Sequence, residues 1–218
     1  MSYIDTHAHL NFEAFDNDYG RVIERAFDND VRGVINVGSN LETSKRAIEI
    51  AEKYERGVYA AIGLHPIHTK DAFRHAEFNE EKFLALARNK KVVAIGETGL
   101  DYYYDKSSKE LQKEIFEKHL QIAQTVSKPV ILHSRDAGED VLTVLMSERP
   151  ETKGVMHCFQ GNWQYAKMIL DMGLYISFTG LITFTKNMDT YEVVKEAPLD
   201  RILIETDCPY LTQKWHSF

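Results

Sequence analysis

A chain of 218 residues, 44% hydrophobic and 27% charged, has the composition of a soluble globular protein with room for one domain and a core that needs no disulfides. The formal net charge of −7 argues against a passive DNA-binding module, which needs a basic face, and less against an enzyme whose bound cations attract phosphate. Met1–Asp5 lacks the pattern of a signal peptide, no apolar run reaches membrane length, and Cys158 and Cys208 have no disulfide or zinc-knuckle spacing, so the expected location is cytoplasmic with no membrane partner.

From the N-terminus, short β-rich apolar runs alternate with amphipathic helical stretches. The strand-like runs are Tyr3–His9, Gly33–Gly38, Val58–Leu64, Val92–Glu97, Pro129–His133, Val155–Cys158, Leu174–Phe178 and Ile202–Asp207. Ser107 with Glu110, and Asp136 with Glu139, have the spacing of helix-starting capping boxes. After Ser107, Leu111, Ile115, Ile122 and Ala123 share one helical face, and Gly173 is placed to end the helix that contains Met168, Ile169 and Leu170. Strict alternation predicts a parallel sheet, and eight units predict a single closed (β/α)8 TIM barrel over 1–218. An open doubly wound sheet is the alternative, but the first strand ends in Thr6-His7-Ala8-His9 and no G-x-G-x-x-G occurs. Beyond the eighth strand stand eleven residues, Cys208–Phe218, too few for a closing helix. Outward side chains of that strand, among which Leu203 is placed, then face water or a makeshift cover from Trp215 and Phe218. The expectation is that the native chain continues beyond Phe218 or that another chain covers this face.

Metal-capable residues recur at the strand ends. His7 and His9 end the first strand, Glu97 the fourth, His133 the fifth, His157 the sixth and Asp207 the eighth. In a barrel these ends converge on the rim where active sites lie. Residues two apart on a strand share a face, so His7 and His9 both point inward, as do Glu205 and Asp207, while Cys158 and Cys208 are read as small core residues turned away. A lone histidine at a strand end is more often a hydrogen-bonded structural residue, and a lone Glu97 or Asp207 a helix cap or an ion-pair partner. Four histidines and two carboxylates in one phase are hard to explain as packing. A dication is the simplest thing that removes the cost of burying those carboxylates.

Six stretches make the chain resemble a known family: Asp5-Thr6-His7-Ala8-His9, Gly63-Leu64-His65-Pro66, Gly96-Glu97-Thr98-Gly99-Leu100-Asp101-Tyr102, His133-Ser134-Arg135, His157-Cys158-Phe159 and Glu205-Thr206-Asp207-Cys208-Pro209-Tyr210-Leu211. In order over Ile4–Leu211, they resemble the TatD-type deoxyribonucleases, which belong with the amidohydrolase-like barrels. The resemblance implies metal-dependent hydrolysis of DNA phosphodiesters, usually as 3′-to-5′ exonuclease action. It also implies that His7, His9 and Asp207 hold one ion, that His133 and His157 hold a second, and that Glu97 bridges the two. Such a pair, about 3.5–4 Å apart, serves phosphate hydrolysis, and the mixed ligands suit Zn, Mn or Mg without choosing among them. The family's basic, proline-containing loop and final helix are not matched by Gln213–Phe218.

His65 would face the substrate phosphate by the family pattern; a turn contact beside Pro66 is the plainer reading. Arg135, two residues after His133, is read as a phosphate clamp or as a surface ion pair with Asp136 or Glu139. Asp5 and Glu205 sit two residues before ligands on the same face, and each is read as orienting a metal-bound histidine. Tyr102, Tyr103 and Tyr104 are read either as base-stacking residues or as loop packing. The function expected is a two-metal deoxyribonuclease with Glu97, Asp207, His65 and Arg135 in catalysis, acting on single-stranded DNA ends as a monomer or weak oligomer. The alternatives are an ester or amide hydrolase, such as an aminoacyl-tRNA deacylase, and a metal-stabilised scaffold without turnover.

Overall fold

The computed structural model describes residues 1–69, 78–104, 108–148 and 152–211. Eight parallel strands form one sheet in sequence order from β1 to β8, and the first seven are each followed by an α-helix. The elements are β1 (Tyr3–Ala8), α1 (Tyr19–Asp28), β2 (Val31–Val37), α2 (Leu41–Glu52), β3 (Val58–Ile62), α3 (Glu80–Ala87), β4 (Val92–Asp101), α4 (Lys109–Thr125), β5 (Val130–Arg135), α5 (Gly138–Glu148), β6 (Gly154–Met156), α6 (Trp163–Asp171), β7 (Tyr175–Phe178), α7 (Met188–Glu196) and β8 (Ile202–Ile204). This is the expected (β/α)8 barrel, closed between β8 and β1 by a few bonds just past the strand ends. Asp207 N donates to His7 O at 2.8 Å, and His9 N donates to Cys208 O at 2.9 Å.

Two apolar layers hold the sheet. Inside the barrel, Val37, Ala61, Ala94, Ile131 and Val155 pack with Ile35 and Leu203. Outside, the helices bury one face each, with Ile23, Phe83, Ile115, Phe116, Leu120, Leu145 and Ile169 almost fully enclosed against the strands. Each such side chain contributes about 1.5–3 kcal/mol of transfer free energy. Leu203 therefore points inward, not outward as expected. Positions 203, 205 and 207 share one phase, and it is Ile204, 51% exposed, that faces out. Trp215, Phe218 and the closing-helix expectation lie outside the described residues.

Helix punctuation follows the sequence only in part. Gly173 has φ +82° and ends α6 as expected, with Gly173 N bonding Leu170 O and Leu174 N bonding Ile169 O. On α4, Ile115, Ile122 and Ala123 are buried and Leu111 packs beside them. Ser107 lies outside the described residues, and the residue before α4 is Ser108, whose side chain makes no capping hydrogen bond. The Asp136–Glu139 box does not form: Asp136 has φ +53° and α5 begins at Gly138.

Candidate metal centre

The strand ends differ from the expected ones in a way that builds the site. β1, β3, β6 and β8 stop one to three residues early, leaving His9, His65, His157 and Asp207 on the connecting loops. β4 and β5 run on to Asp101 and Arg135, pairing Gly99 with His133 and Asp101 with Arg135. Above the inner apolar layer, His7, His9, Glu97, His133, His157 and Asp207 come together with His65.

Glu97 is at the centre. Its Oε2 lies 3.4 Å from His7 Nε2 and 3.9 Å from His9 Nε2. Its Oε1 lies 2.9 Å from His133 Nδ1, 3.4 Å from His65 Nε2 and 3.5 Å from His157 Nε2. Asp207 Oδ1 stands on the Oε2 side, 3.3 Å from His9 Nε2 and 3.7 Å from His7 Nε2. His7 Nε2 and His9 Nε2 are 3.2 Å apart, and the His7 ring stacks on His157 with centroids at 3.7 Å. His7, His9 and Asp207 form one group able to hold a cation, His65, Glu97 and His133 a second, and His7, His157 and Glu205 a third.

The far nitrogens of these rings show which lone pairs face inward. His9 Nδ1 is 2.8 Å from Val37 O, a carbonyl that can only accept, so the proton is on Nδ1 and Nε2 faces the cluster with a lone pair. His133 Nε2 contacts Asp101 Oδ2 at 3.1 Å, which turns its Nδ1 towards Glu97. His157 Nδ1 lies 2.8 Å from Glu205 Oε1, off the line of a straight hydrogen bond, and Glu205 is itself held by Ser177 Oγ and Cys158 N. Carboxylate or carbonyl behind imidazole is how metal-binding histidines are oriented. His7 Nδ1 is buried without a hydrogen-bond partner.

The charges tell the same story. Burial opposes charge on Glu97, but His65, His157 and His133 outweigh it and hold the carboxyl well below its usual range. Burial likewise opposes charge on His157, yet Glu205 and Glu97 raise it well above the ordinary histidine value. His133 is raised in the same way by Asp101 and Glu97. Protons on these rings stand where a divalent ion would supply the positive charge. Imidazole lone pairs converging with carboxylate oxygens are a donor set that fits a Zn, Mn or Mg ion.

Of the two readings of His65, the turn contact beside Pro66 is the one seen. Its Nδ1 accepts from Ile67 N at 3.2 Å in the Pro66–His68 turn, which leaves the Nε2 proton facing Glu97 Oε1 and His133 Nδ1. Burial lowers its pKa to about 4, so the ring is neutral. Arg135 is not paired with Asp136 or Glu139 as its plainer reading had it. The guanidinium lies over the rings of Tyr103 and Tyr104, at 4.0 and 4.9 Å from their centroids. Tyr102 is a packing residue, buried with its hydroxyl donating to Asp140 Oδ2 at 2.6 Å, whereas Tyr103 and Tyr104 are exposed. Glu205 orients His157 as expected; among the described residues Asp5 touches no imidazole. Asp5 instead accepts from Thr206 N and Oγ1 at 3.0 and 2.6 Å and from His7 N at 3.2 Å, joining β1 to the end of β8. Cys158 and Cys208 are half-buried thiols, and burial pushes Cys158 up to about 11.

Two contributors escaped the sequence reading. Asp101, behind His133, lies four residues after Glu97 and so shares its strand phase, a signal lost because β4 was ended at Glu97. His119 on α4 accepts from Leu64 N at 3.0 Å through Nε2 and donates from Nδ1 to Ile115 O at 2.8 Å, fixing the backbone beside His65. Nothing in a helical histidine announces that role.

The family model described as TatD related DNase matches residues 4–217. YabD of Bacillus subtilis (strain 168), named an uncharacterized metal-dependent hydrolase, is 48% identical over 209 residues, covering 95% of this chain and 80% of the relative. The 3′-5′ ssDNA/RNA exonuclease TatD of Salmonella typhimurium is 34% identical over 209 residues, covering 95% and 79%. The crystal structure of YJJV, a TatD homolog from Escherichia coli K12, superimposes with a TM-score of 0.87 at 32% identity, covering 99% of this chain and 82% of that one. A buried cluster of histidines and carboxylates on a barrel rim, matched over nearly the whole chain, assigns the protein to the TatD family of metal-dependent hydrolases.

Proposed function

We propose that this chain is a two-metal phosphodiesterase that shortens single-stranded DNA from its 3′ end. The observation that carries the two-metal reading is the division of the Glu97 carboxylate. Oε2 faces His7 and His9 with Asp207 alongside, and Oε1 faces His133, His157 and His65. That is the placement of a bridging ligand. His7, His9 and Asp207 would hold one ion, His133 and His157 the other, with Glu97 shared. Two bound divalent ions would polarise the scissile phosphoryl group and acidify the attacking water. The nuclease reading is supported by the family's description and by the name of the Salmonella relative.

The chain's own groups complete the chemistry. Burial opposes charge on Asp207, but its contact with His9 and the nearby His157 and His7 outweigh it, so the carboxylate stays ionised and accepts the proton of the attacking water. Neutral His65 presents Nε2–H to a phosphate oxygen. Arg135, with its guanidinium face on the tyrosines, keeps its N–H edge for a second phosphate oxygen.

The test is cleavage of end-labelled single-stranded DNA by metal-loaded protein, with aminoacyl-tRNA and simple carboxylic esters in parallel. Activity should vanish on chelation, and Glu97→Ala should lower turnover by roughly two orders of magnitude or more. Full turnover by the chelated protein or by that variant would reject the two-metal reading. Hydrolysis of esters with no cleavage of DNA would reject the nuclease reading.

A further inference from the structure

Beside the candidate metal centre lie two tyrosine rings that the proposed hydrolytic chemistry does not use. Tyr103 and Tyr104 are 56% and 66% exposed, an unusual state for two adjacent large rings, and their centroids are 4.9 Å apart at an interplanar angle of 89°. The guanidinium of Arg135 lies over both rings. Lys109 Nζ stands 4.1 Å from the ring of Tyr102, so a second cation flanks the same loop in a chain of net charge −7. The backbone that carries the rings is held: Asp101 Oδ1 accepts from Tyr103 N at 2.9 Å and from Tyr104 N at 3.0 Å. The other oxygen of that carboxylate contacts His133 Nε2 at 3.1 Å. Asp101 is fixed in turn, its own N–H donating to Gln112 Oε1 at 2.8 Å. One buried carboxylate thus ties a metal-facing histidine to the backbone of two exposed rings.

We infer that Tyr103 and Tyr104, braced by Arg135 and positioned by Asp101, form a stacking platform for a nucleobase next to the scissile phosphate. The inference rests on the proposed nuclease reading and names how that site grips its substrate. Aromatic faces bind bases of any sequence, because every base has a π-face, and a neighbouring guanidinium supplies the phosphate contact. A paired base is covered on both faces by its neighbours and cannot lie on such a platform. The arrangement therefore selects unpaired ends by shape and leaves sequence unread. Asp101 is a positioning residue here, since it keeps the platform in register with His133.

The experiment compares binding of two phosphorothioate oligonucleotides of equal length to the metal-loaded protein, read by fluorescence anisotropy. One carries thymine bases and the other is abasic throughout. The wild type should prefer the base-bearing strand by roughly ten- to hundredfold. In the double variant Tyr103→Ala/Tyr104→Ala that ratio should fall close to one, and Tyr103→Phe/Tyr104→Phe, which keeps both ring faces, should restore it. A purely structural role for the loop would weaken both strands alike and leave the ratio standing, which overturns the platform. Equal binding of the two strands by the wild type also overturns it, while cleavage of DNA in the preceding assay would leave the nuclease reading intact. A wild type that binds neither strand and cleaves no DNA rejects both.

Discussion

His119 touches none of the residues that face the candidate cations, yet the position of His65 depends on it. Packed between Phe78 and Phe83, it spends both ring nitrogens on backbone, accepting from Leu64 and donating to Ile115. A neutral ring is required, because a charged one would turn a donor on the Leu64 amide. Burial enforces this and lowers the His119 pKa to about 4. The unfolded chain, with an ordinary value near 6.5, binds a proton between those limits that the folded chain refuses. This contribution to stability is thus fully present above about pH 6.5 and is lost as pH falls towards about 4, by roughly 3 kcal/mol in all. In urea titrations at several pH values, the stability of the wild type relative to His119→Gln should decline by that amount across the window. A difference that does not change with pH would mean that His119 can charge inside the fold.

At the scale of elements, β4 separates what the sequence discloses from what it hides. Its start at Val92 follows from the apolar run, whereas its inward Glu97 stands three residues after inward Ala94 and owes its direction to a shift in pairing. That shift falls between Ile95 and Thr98, and a period-two pattern carries no information across it. Asp101, and with it the support of His133, went unread because the strand was expected to end at Glu97. The same arithmetic, correctly applied, turns Leu203 inward with Glu205 and Asp207. The cluster itself was legible because imidazoles and carboxylates at successive strand ends have few other uses; the tautomers and backing groups were not, since they depend on contacts between distant segments. Gly99 is what lets β4 continue. It has φ +138°, and a Cβ there would stand 2.1 Å from His133 O. Gly99→Ala would have to push β5 away from β4 at the ligand itself. We expect a loss of about 2–4 kcal/mol in denaturant titrations, together with weaker metal binding. A loss below about 1 kcal/mol with unchanged metal content would show that the two strands have slack at this point.

At the scale of the molecule, the seam between β1 and β8 is the thinnest part of the barrel. β8 spans Ile202–Ile204, and among the described residues its link to β1 is one side-chain bond to Ile204 and bonds made just beyond the strand. Asp5 takes Thr206, Thr6 Oγ1 donates to Ile204 O at 3.0 Å, and the backbone of Asp207 and Cys208 bonds that of His7 and His9. The group formed by His7, His9 and Asp207, which could hold a cation, straddles this seam, with two side chains from the β1 segment and one from the chain after β8. A cation bound there is a cross-link between the first and last strands, which binds the folded chain and not the unfolded one. At a hundredfold excess over its dissociation constant it stabilises the fold by about 2.7 kcal/mol, which for a domain of this size raises Tm by roughly 5–10 °C. Chelator should therefore lower the Tm of the wild type by that amount, measured by scanning calorimetry. The same treatment of Asp207→Ala should produce a smaller shift, because the seam ligand is already gone. An equal shift in the variant would locate the stabilising ion on the His133 side of Glu97. No shift in either protein would show that closure rests on the hydrogen bonds of Asp5 and the backbone alone, and that the cation serves the chemistry without holding the barrel.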